Sequence, residues 1–181
     1  LIAHASLTRP LTEKEQAIYG VSEPWGMTPA NAFAGITMRY TADKRILIRH
    51  GLSYRPNQRI KPGEHAKVQR THKKLFDQRF PGLEAVEMEH TWSGFVSLSR
   101  NGAPAFGRLG SNIWSAVCQN AVGVTKGTFG GILEADLATG RDNPLISDMK
   151  SLGEPDTLPP KPFLDLGVQA RFQWELFSNR H

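Results

Sequence analysis

The stretch IWSAVCQNAVGVTKGTFGGILEADLATG, Ile113 to Gly140, decides how the rest of the chain is read. It opens on an apolar run, Ile113 to Cys118, with the length and character of a buried strand. A polar turn follows at Gln119 and Asn120. A helix is predicted from about Val124 to Thr139, because Phe129, Ile132, Leu133 and Leu137 recur at i, i+3, i+4 and i+8 and share one face. Gly140 stands where a left-handed C-terminal cap is wanted. Gly127, Gly130 and Gly131 lie inside this helix, each costing about 1 kcal/mol relative to alanine. Their usual justification is that something approaches the backbone closely. Gly123 leaves the helix start uncovered, and the free N–H groups near Val124, Thr125 and Lys126 suit an anion or a polarised carbonyl. Two explanations stand at this point: a large bound cofactor, or a tight helix–sheet contact with no ligand.

Outward from this stretch the chain reads as strands, a hairpin and further helices. Leu1 to Leu11 is a strand leading into Pro10. Thr12 with Glu15 three residues on forms a capping-box pattern, so a short helix should run to Gly20. The segment SEPWGMTPANAFAG reads as a loop, in which Trp25 either covers the sheet edge or borders a cavity. Phe33 to Ser53 has the signature of a hairpin: Ile36, Met38 and Tyr40 alternate with Thr37 and Arg39, and Ala42-Asp43-Lys44 makes the turn. Arg39 and Arg45 are candidate carboxylate clamps, since guanidinium grips a carboxylate at two points. For Arg45 an ion pair with Asp43 is the simpler expectation.

Pro62-Gly63 should open a helix reaching about Phe80, with Val68, Leu75 and Phe76 on its buried side and His72 beside them as a satisfied boundary residue. Leu83 to Ser99 reads as one or two strands. Glu87 and Glu89 have no second ligand set at a supporting spacing, so a metal site is discarded. Asn101-Gly102 is a turn. Beyond Gly140 a proline-rich loop leads to a final amphipathic helix, Pro162 to about Ser178. Its stripe of Phe163, Leu166, Ala170, Trp174 and Phe177 should pack on the body.

Composition narrows the classes. A chain of 181 residues with 39% hydrophobic content can bury a core as one domain with appendages. The single cysteine, Cys118, excludes an internal disulfide and suits a core position. No window is long and apolar enough to span a membrane, and no signal peptide is visible, which favours the cytoplasm. The chain begins at Leu1 inside a strand and without Met, which suggests a piece of a longer protein. The net charge of +5 is scattered. Its densest run, Lys67 to Lys74, is explained by a solvated helix face rather than by nucleic acid. A non-enzymatic binding module remains an alternative.

Four spaced elements together resemble the FAD-dependent glycine/D-amino-acid oxidase superfamily, particularly amine and amino-acid oxidases of the gamma-glutamylputrescine oxidase type. They are the hairpin with Asp43 and Arg45, the Trp-x-Gly of Trp92 and Gly94, the Pro-x-x-Gly of Pro104 and Gly107, and the strand–glycine–helix already described. The resemblance implies an α+β fold with a largely antiparallel sheet and helices on one face. It divides the chain into a substrate-domain part at 1–110, a flavin-contacting strand and helix at 111–146, and a C-terminal loop and capping helix at 147–181. No G-x-G-x-x-G follows a strand, so the dinucleotide-binding domain would lie outside this chain.

The same resemblance implies non-covalent FAD contacted by Gly107, Asn120, Val122, Gly123, Val124, Thr125, Lys126 and Gly127. Some relatives attach flavin through a cysteine near the position that is Trp92 here. It further implies an amine or amino-acid substrate near Trp25, Arg39, Tyr40 and Trp92, with Lys126 close to a position where relatives meet a substrate carboxylate. A chain without its dinucleotide-binding partner domain should expose apolar surface around Ile113, Trp114 and Phe129 and self-associate.

Overall fold

The computed structural model describes residues 1–20, 22–29 and 35–178. The chain forms two compact units, residues 1–95 with 165–181, and residues 96–164. The expected boundary after residue 110 falls inside a hairpin that lies whole in the second unit. The expected start of the first hairpin at Phe33, and residues 30–34 of the expected loop, lie outside the described residues.

The first unit is an antiparallel sheet of five strands: β1 (Ile2–Thr8), β2 (Trp25–Met27), β3 (Thr37–Tyr40), β4 (Ile46–Ser53) and β5 (Met88–Phe95), in the order β2-β3-β4-β1-β5. Burial alternates strictly along β1, as one covered face requires. Two helices lie on that face. In α1 (Glu13–Tyr19) both halves of the capping box form, and Gly20 closes the helix in the left-handed region. In α2 (Glu64–Arg79) the buried residues are His72 and Phe76. The core beneath them gathers Leu11, Met38, Tyr40, Ile46, Ile48, Phe76, Leu83, Val86 and Met88. At about 25 cal/mol per Å² of apolar surface, this cluster is the main hydrophobic contribution to the unit. The α+β architecture with helices on one sheet face is therefore as the sequence implied.

Two expectations in this unit change. Trp25 to Met27 pairs with β3 as an edge strand instead of lying in a loop. The stripe of α5 (Phe163–Ser178) does not pack on the body: Phe163, Leu166, Trp174 and Phe177 are all exposed. Helical periodicity fixes an apolar face but not a surface to cover it. Asp165 of α5 does accept a 2.5 Å hydrogen bond from the Tyr54 hydroxyl.

The second unit holds an antiparallel hairpin, β6 (Ala105–Gly110) and β7 (Ile113–Val117), with α3 (Gly123–Thr139) and α4 (Leu145–Ser151). The sequence reading gave no helix at α4. Strand β7 is half-buried rather than buried, because two strands and two helices cannot cover both of its faces; Ile113 and Val117 are exposed. The buried side of α3 is Gly130, Leu133 and Asp136, while Phe129 and Ile132 are exposed. The glycine, not the phenylalanine, meets the hairpin. Asp136 is held there by Asn143 Nδ2 at 2.8 Å and by Arg141. Gly140 caps the helix in the left-handed region as expected, donating to the carbonyls of Asp136 and Leu137.

Candidate functional site

The side of the five-stranded sheet opposite α1 and α2 is defined by its register. Ala5 on β1 lies between Arg49 on β4 and Trp92 on β5, Leu7 lies between Leu47 and His90, and Arg39 on β3 pairs with Leu47. Directly paired residues share a face. Ala5, Leu7, Arg39, Leu47, Arg49, His90 and Trp92 therefore stand together on one side, away from the core cluster. Trp92 is 42% exposed there.

The four residues expected near a substrate are split by strand parity. Arg39 and Trp92 are on the open face. Trp25 and Tyr40 pair with each other and stack on the helix side, with ring centroids 6.4 Å apart. Tyr40 is buried in the core cluster, and its hydroxyl donates to Gln16 Oε1 at 3.1 Å. Burial pushes its phenol pKa up. Adjacent residues of a strand point to opposite faces, so Arg39 and Tyr40 cannot both line the open side.

Two arginines are settled by their partners. Arg45 pairs with Asp43 at 3.0 Å and with Glu89, and also donates to the Thr8 carbonyl, so it pins the turn as the simpler expectation had it. Arg49, which the sequence reading passed over, is half-buried on the open face. Its Nε and Nη2 donate to Thr37 Oγ1 at 3.2 and 3.0 Å. Burial lowers its pKa. The available signal was parity, since Arg49 alternates with the core residues Ile46 and Ile48.

The second unit carries a candidate site of its own, the turn between β7 and α3. Cys118, Asn120 and Ala121 all have left-handed backbones, with φ of 61°, 52° and 63°. For non-glycine residues this conformation costs about 1 kcal/mol or more each. Asn120 supplies the compensation. Its Nδ2 donates to the carbonyls of Gly102 and Cys118, each at 2.9 Å, and its Oδ1 accepts from the Ser99 backbone N–H at 2.8 Å. It is a brace for the turn, bonded entirely within the chain.

Val122, which precedes α3, makes no side-chain capping bond, and the first helical hydrogen bond beyond it runs from Lys126 N to Val122 O at 3.0 Å. The N–H groups of Gly123, Val124 and Thr125 fall in the part of a helix that has no intrahelical acceptors. All three residues are exposed, while Lys126 and Gly127 are half-buried. A Cβ at Gly123 or Gly131 would meet nothing within 4 Å. At Gly130 it would lie 3.4 Å from Ala116 Cβ and 3.5 Å from Gln119 Nε2. Helix–strand packing thus restricts position 130 to a small residue, whereas Gly123 and Gly131 face open space. Gly107 adopts φ +131° in β6, a backbone that strongly favours glycine.

The structure thus brings Asn120 to Gly127 into one turn and helix start, with Gly107 on the hairpin of the same unit. Within the basic run on α2, Lys73 is committed to Asp77 and to the Glu84 carbonyl. Among the described residues no group of three or more His, Cys, Asp or Glu is placed to hold a metal ion, and no helix is long and apolar enough to cross a membrane.

No family model matches the chain. Probable oxidoreductase OrdL of Haemophilus influenzae is 28% identical over 102 residues, which are 56% of this chain and 23% of that protein. Among solved structures, glycine oxidase from Geobacillus kaustophilus matches with a TM-score of 0.57 at 18% identity over 79% of this chain and 35% of its own. Iminodiacetate oxidase from Chelativorans sp. BNC1 matches with a TM-score of 0.57 at 18% identity, over 79% and 36%. L-proline dehydrogenase from P. horikoshii gives 0.55 at 17%, over 78% and 36%. The chain matches little more than a third of the length of these solved structures and under a quarter of the curated relative. The resemblance to glycine and amino-acid oxidases read from the motifs is thereby shown at the level of the fold.

Proposed function

We propose that this chain is the substrate-facing and flavin-contacting part of an FAD-dependent oxidoreductase that oxidises the C–N bond of an amine or amino acid. The observation that carries the reading is the uncapped start of α3. Its exposed N–H groups at Gly123, Val124 and Thr125 follow a strained turn braced by Asn120, in a fold shared with oxidases of small amino compounds. Unsatisfied donors at a helix N-terminus fit an electron-rich ring edge, and open space over Gly123 lets a flat ring approach. The residues that would hold FAD are Gly123, Val124 and Thr125 through their backbones, with Lys126 and Gly127 beside them. Asn120 acts by holding the turn.

Bound FAD would supply a two-electron acceptor for the hydride on the carbon beside the amine, with oxygen as the final acceptor. The chain's own part is positioning and electrostatics. The helix start would stabilise negative charge that grows during the reaction. Trp92 on the open face would orient substrate. Trp92 stands near the position at which some relatives carry the cysteine that attaches flavin, so the cofactor would be held without a covalent bond. The exposed Ile113 and Phe129 support self-association of the chain where no other domain covers them.

The test is spectroscopic. The natural polypeptide carrying this chain, once purified, should show flavin absorbance that bleaches anaerobically when an amine or amino acid is added. Acid precipitation should leave all the flavin in the supernatant. A polypeptide that neither purifies with flavin nor takes it up would overturn the reading in favour of a non-enzymatic binding module.

A further inference from the structure

We infer that Arg49 is the carboxylate-binding residue of the open sheet face, holding the acidic end of a substrate whose other end lies against Trp92. The inference rests on reading that face as the substrate side. Its first support is a contrast among the arginines. Arg9 pairs with Glu15, Arg45 with Asp43 and Glu89, and Arg55 with Glu64. Arg49 is half-buried, yet among the described residues its hydrogen-bond partner is one neutral hydroxyl, Thr37 Oγ1, and no carboxylate pairs with it. Sequestering a guanidinium from water without a counter-charge is costly, so a fold that holds one this way is suited to a partner that brings the charge. Thr37 takes the Nε and Nη2 donors and fixes the plane of the group. The remaining donors are available to a ligand.

The second support is the row in which Arg49 stands. Arg49, Ala5 and Trp92 lie side by side across β4, β1 and β5. Neighbouring strands are about 4.8 Å apart, so Arg49 and Trp92 are separated by roughly 10 Å, with only the Ala5 methyl between them. A guanidinium at one end, an indole at the other and a small floor suit a carboxylate on a short chain that ends in a cationic group. The indole face attracts a cation, and the guanidinium grips the acid. Arg39 lies on the same face but is exposed, where a charge contributes less.

The experiment is calorimetric titration of the purified protein at low salt with 5-aminopentanoate and, separately, with 5-aminopentanamide, which lacks only the carboxylate. The acid should bind about tenfold more tightly than the amide, the scale of a charge-assisted pair. R49Q should abolish that preference, R49K should keep part of it, and R39Q should leave it within about twofold. Equal binding of acid and amide by the unaltered protein would overturn the assignment, as would a preference that survives in R49Q or that is lost in R39Q instead. Circular dichroism checks each variant's fold. Should R49Q fail to fold, R49K and the acid–amide comparison in the unaltered protein decide the matter. Acid preference in a protein that takes up no flavin would sink the proposed function and leave this subsite standing; flavin uptake without acid preference would do the reverse.

Discussion

The Ser6 hydroxyl and His72 Nδ1 meet at 2.8 Å, with both side chains buried between β1 and α2. The other ring nitrogen, Nε2, lies 3.1 Å from the His50 carbonyl, a contact that only a donor can make. Nε2 of His72 therefore carries a proton, and because burial favours the neutral ring, Nδ1 accepts from Ser6. Thr91 Oγ1 extends the network to Ser6 at 2.9 Å.

Burial lowers the pKa of His72, and the same cause dominates for His4, where Glu64 opposes it. The folded state thus binds fewer protons than the unfolded state as pH falls below the ordinary histidine value of 6.5. Stability from these groups is present above that value and is lost as pH drops through the lower folded pKa. Urea midpoints measured downward from pH 8 should hold steady and then fall below pH 6.5, by up to about 1.4 kcal/mol per pH unit for each histidine. A midpoint that stays level down to the onset of carboxylate titration would contradict the neutral assignment.

Asn120→Ala should destabilise the second unit by about 2 kcal/mol, from lost hydrogen bonds and from placing alanine in a left-handed backbone. Asn120→Gly relieves the backbone while losing the same bonds, so it should fall between alanine and the natural residue. Chemical denaturation of the three proteins gives the order directly. Equal stability of the alanine and natural forms would show that the turn is not braced by this side chain.

Much of this arrangement was legible in the sequence because it depends on local chemistry. The capping box at Thr12 and Glu15, the left-handed Gly140 and the turn at Asp43 are each set by a few adjacent residues. Residue parity is equally legible in the strand pattern, and it separates Arg39 from Tyr40, because consecutive strand residues face apart. What the sequence did not carry was partnership. The stripes of α3 and α5 have the period of a buried face, but Phe129, Ile132, Phe163 and Trp174 are exposed, because burial depends on a second surface that periodicity does not encode. The role of Gly130 against Ala116 likewise appears only when helix and strand are placed together.

Gly131 and Gly130 should respond differently to added volume. At Gly131 a methyl group enters open space, so Gly131→Ala should stabilise α3 by roughly 0.5–1 kcal/mol through helix propensity and reduced unfolded-state freedom. At Gly130 a methyl makes ordinary contact with Ala116, and Gly130→Ala should be near neutral or mildly favourable. Gly130→Leu must push β7 and α3 apart and should cost about 1–3 kcal/mol. Thermal melts of the three variants should rank Gly131→Ala highest, Gly130→Ala next and Gly130→Leu lowest. Unreduced stability in Gly130→Leu would mean that the helix is not seated on the hairpin through this glycine.

The start of α3 offers a separation of folding from ligand contact. A side chain at position 123 meets no chain atom within 4 Å of its Cβ, so Gly123→Ala and Gly123→Val leave the internal packing of the unit intact. Alanine also has the higher helix propensity. Neither substitution has a route to destabilise the helix strongly, although valine is the poorer helix former. In the natural polypeptide carrying this chain, both variants should therefore melt close to the unaltered apoprotein. If a flavin ring lies over the exposed N–H groups of Gly123, Val124 and Thr125, the added atoms occupy its place. Flavin occupancy should then fall in Gly123→Ala and fall further in Gly123→Val, in proportion to the volume added, while melting of the flavin-free forms stays put. Unchanged occupancy in the valine variant would remove the helix start from the flavin site. A matching loss of apoprotein stability would show instead that the glycine serves the turn.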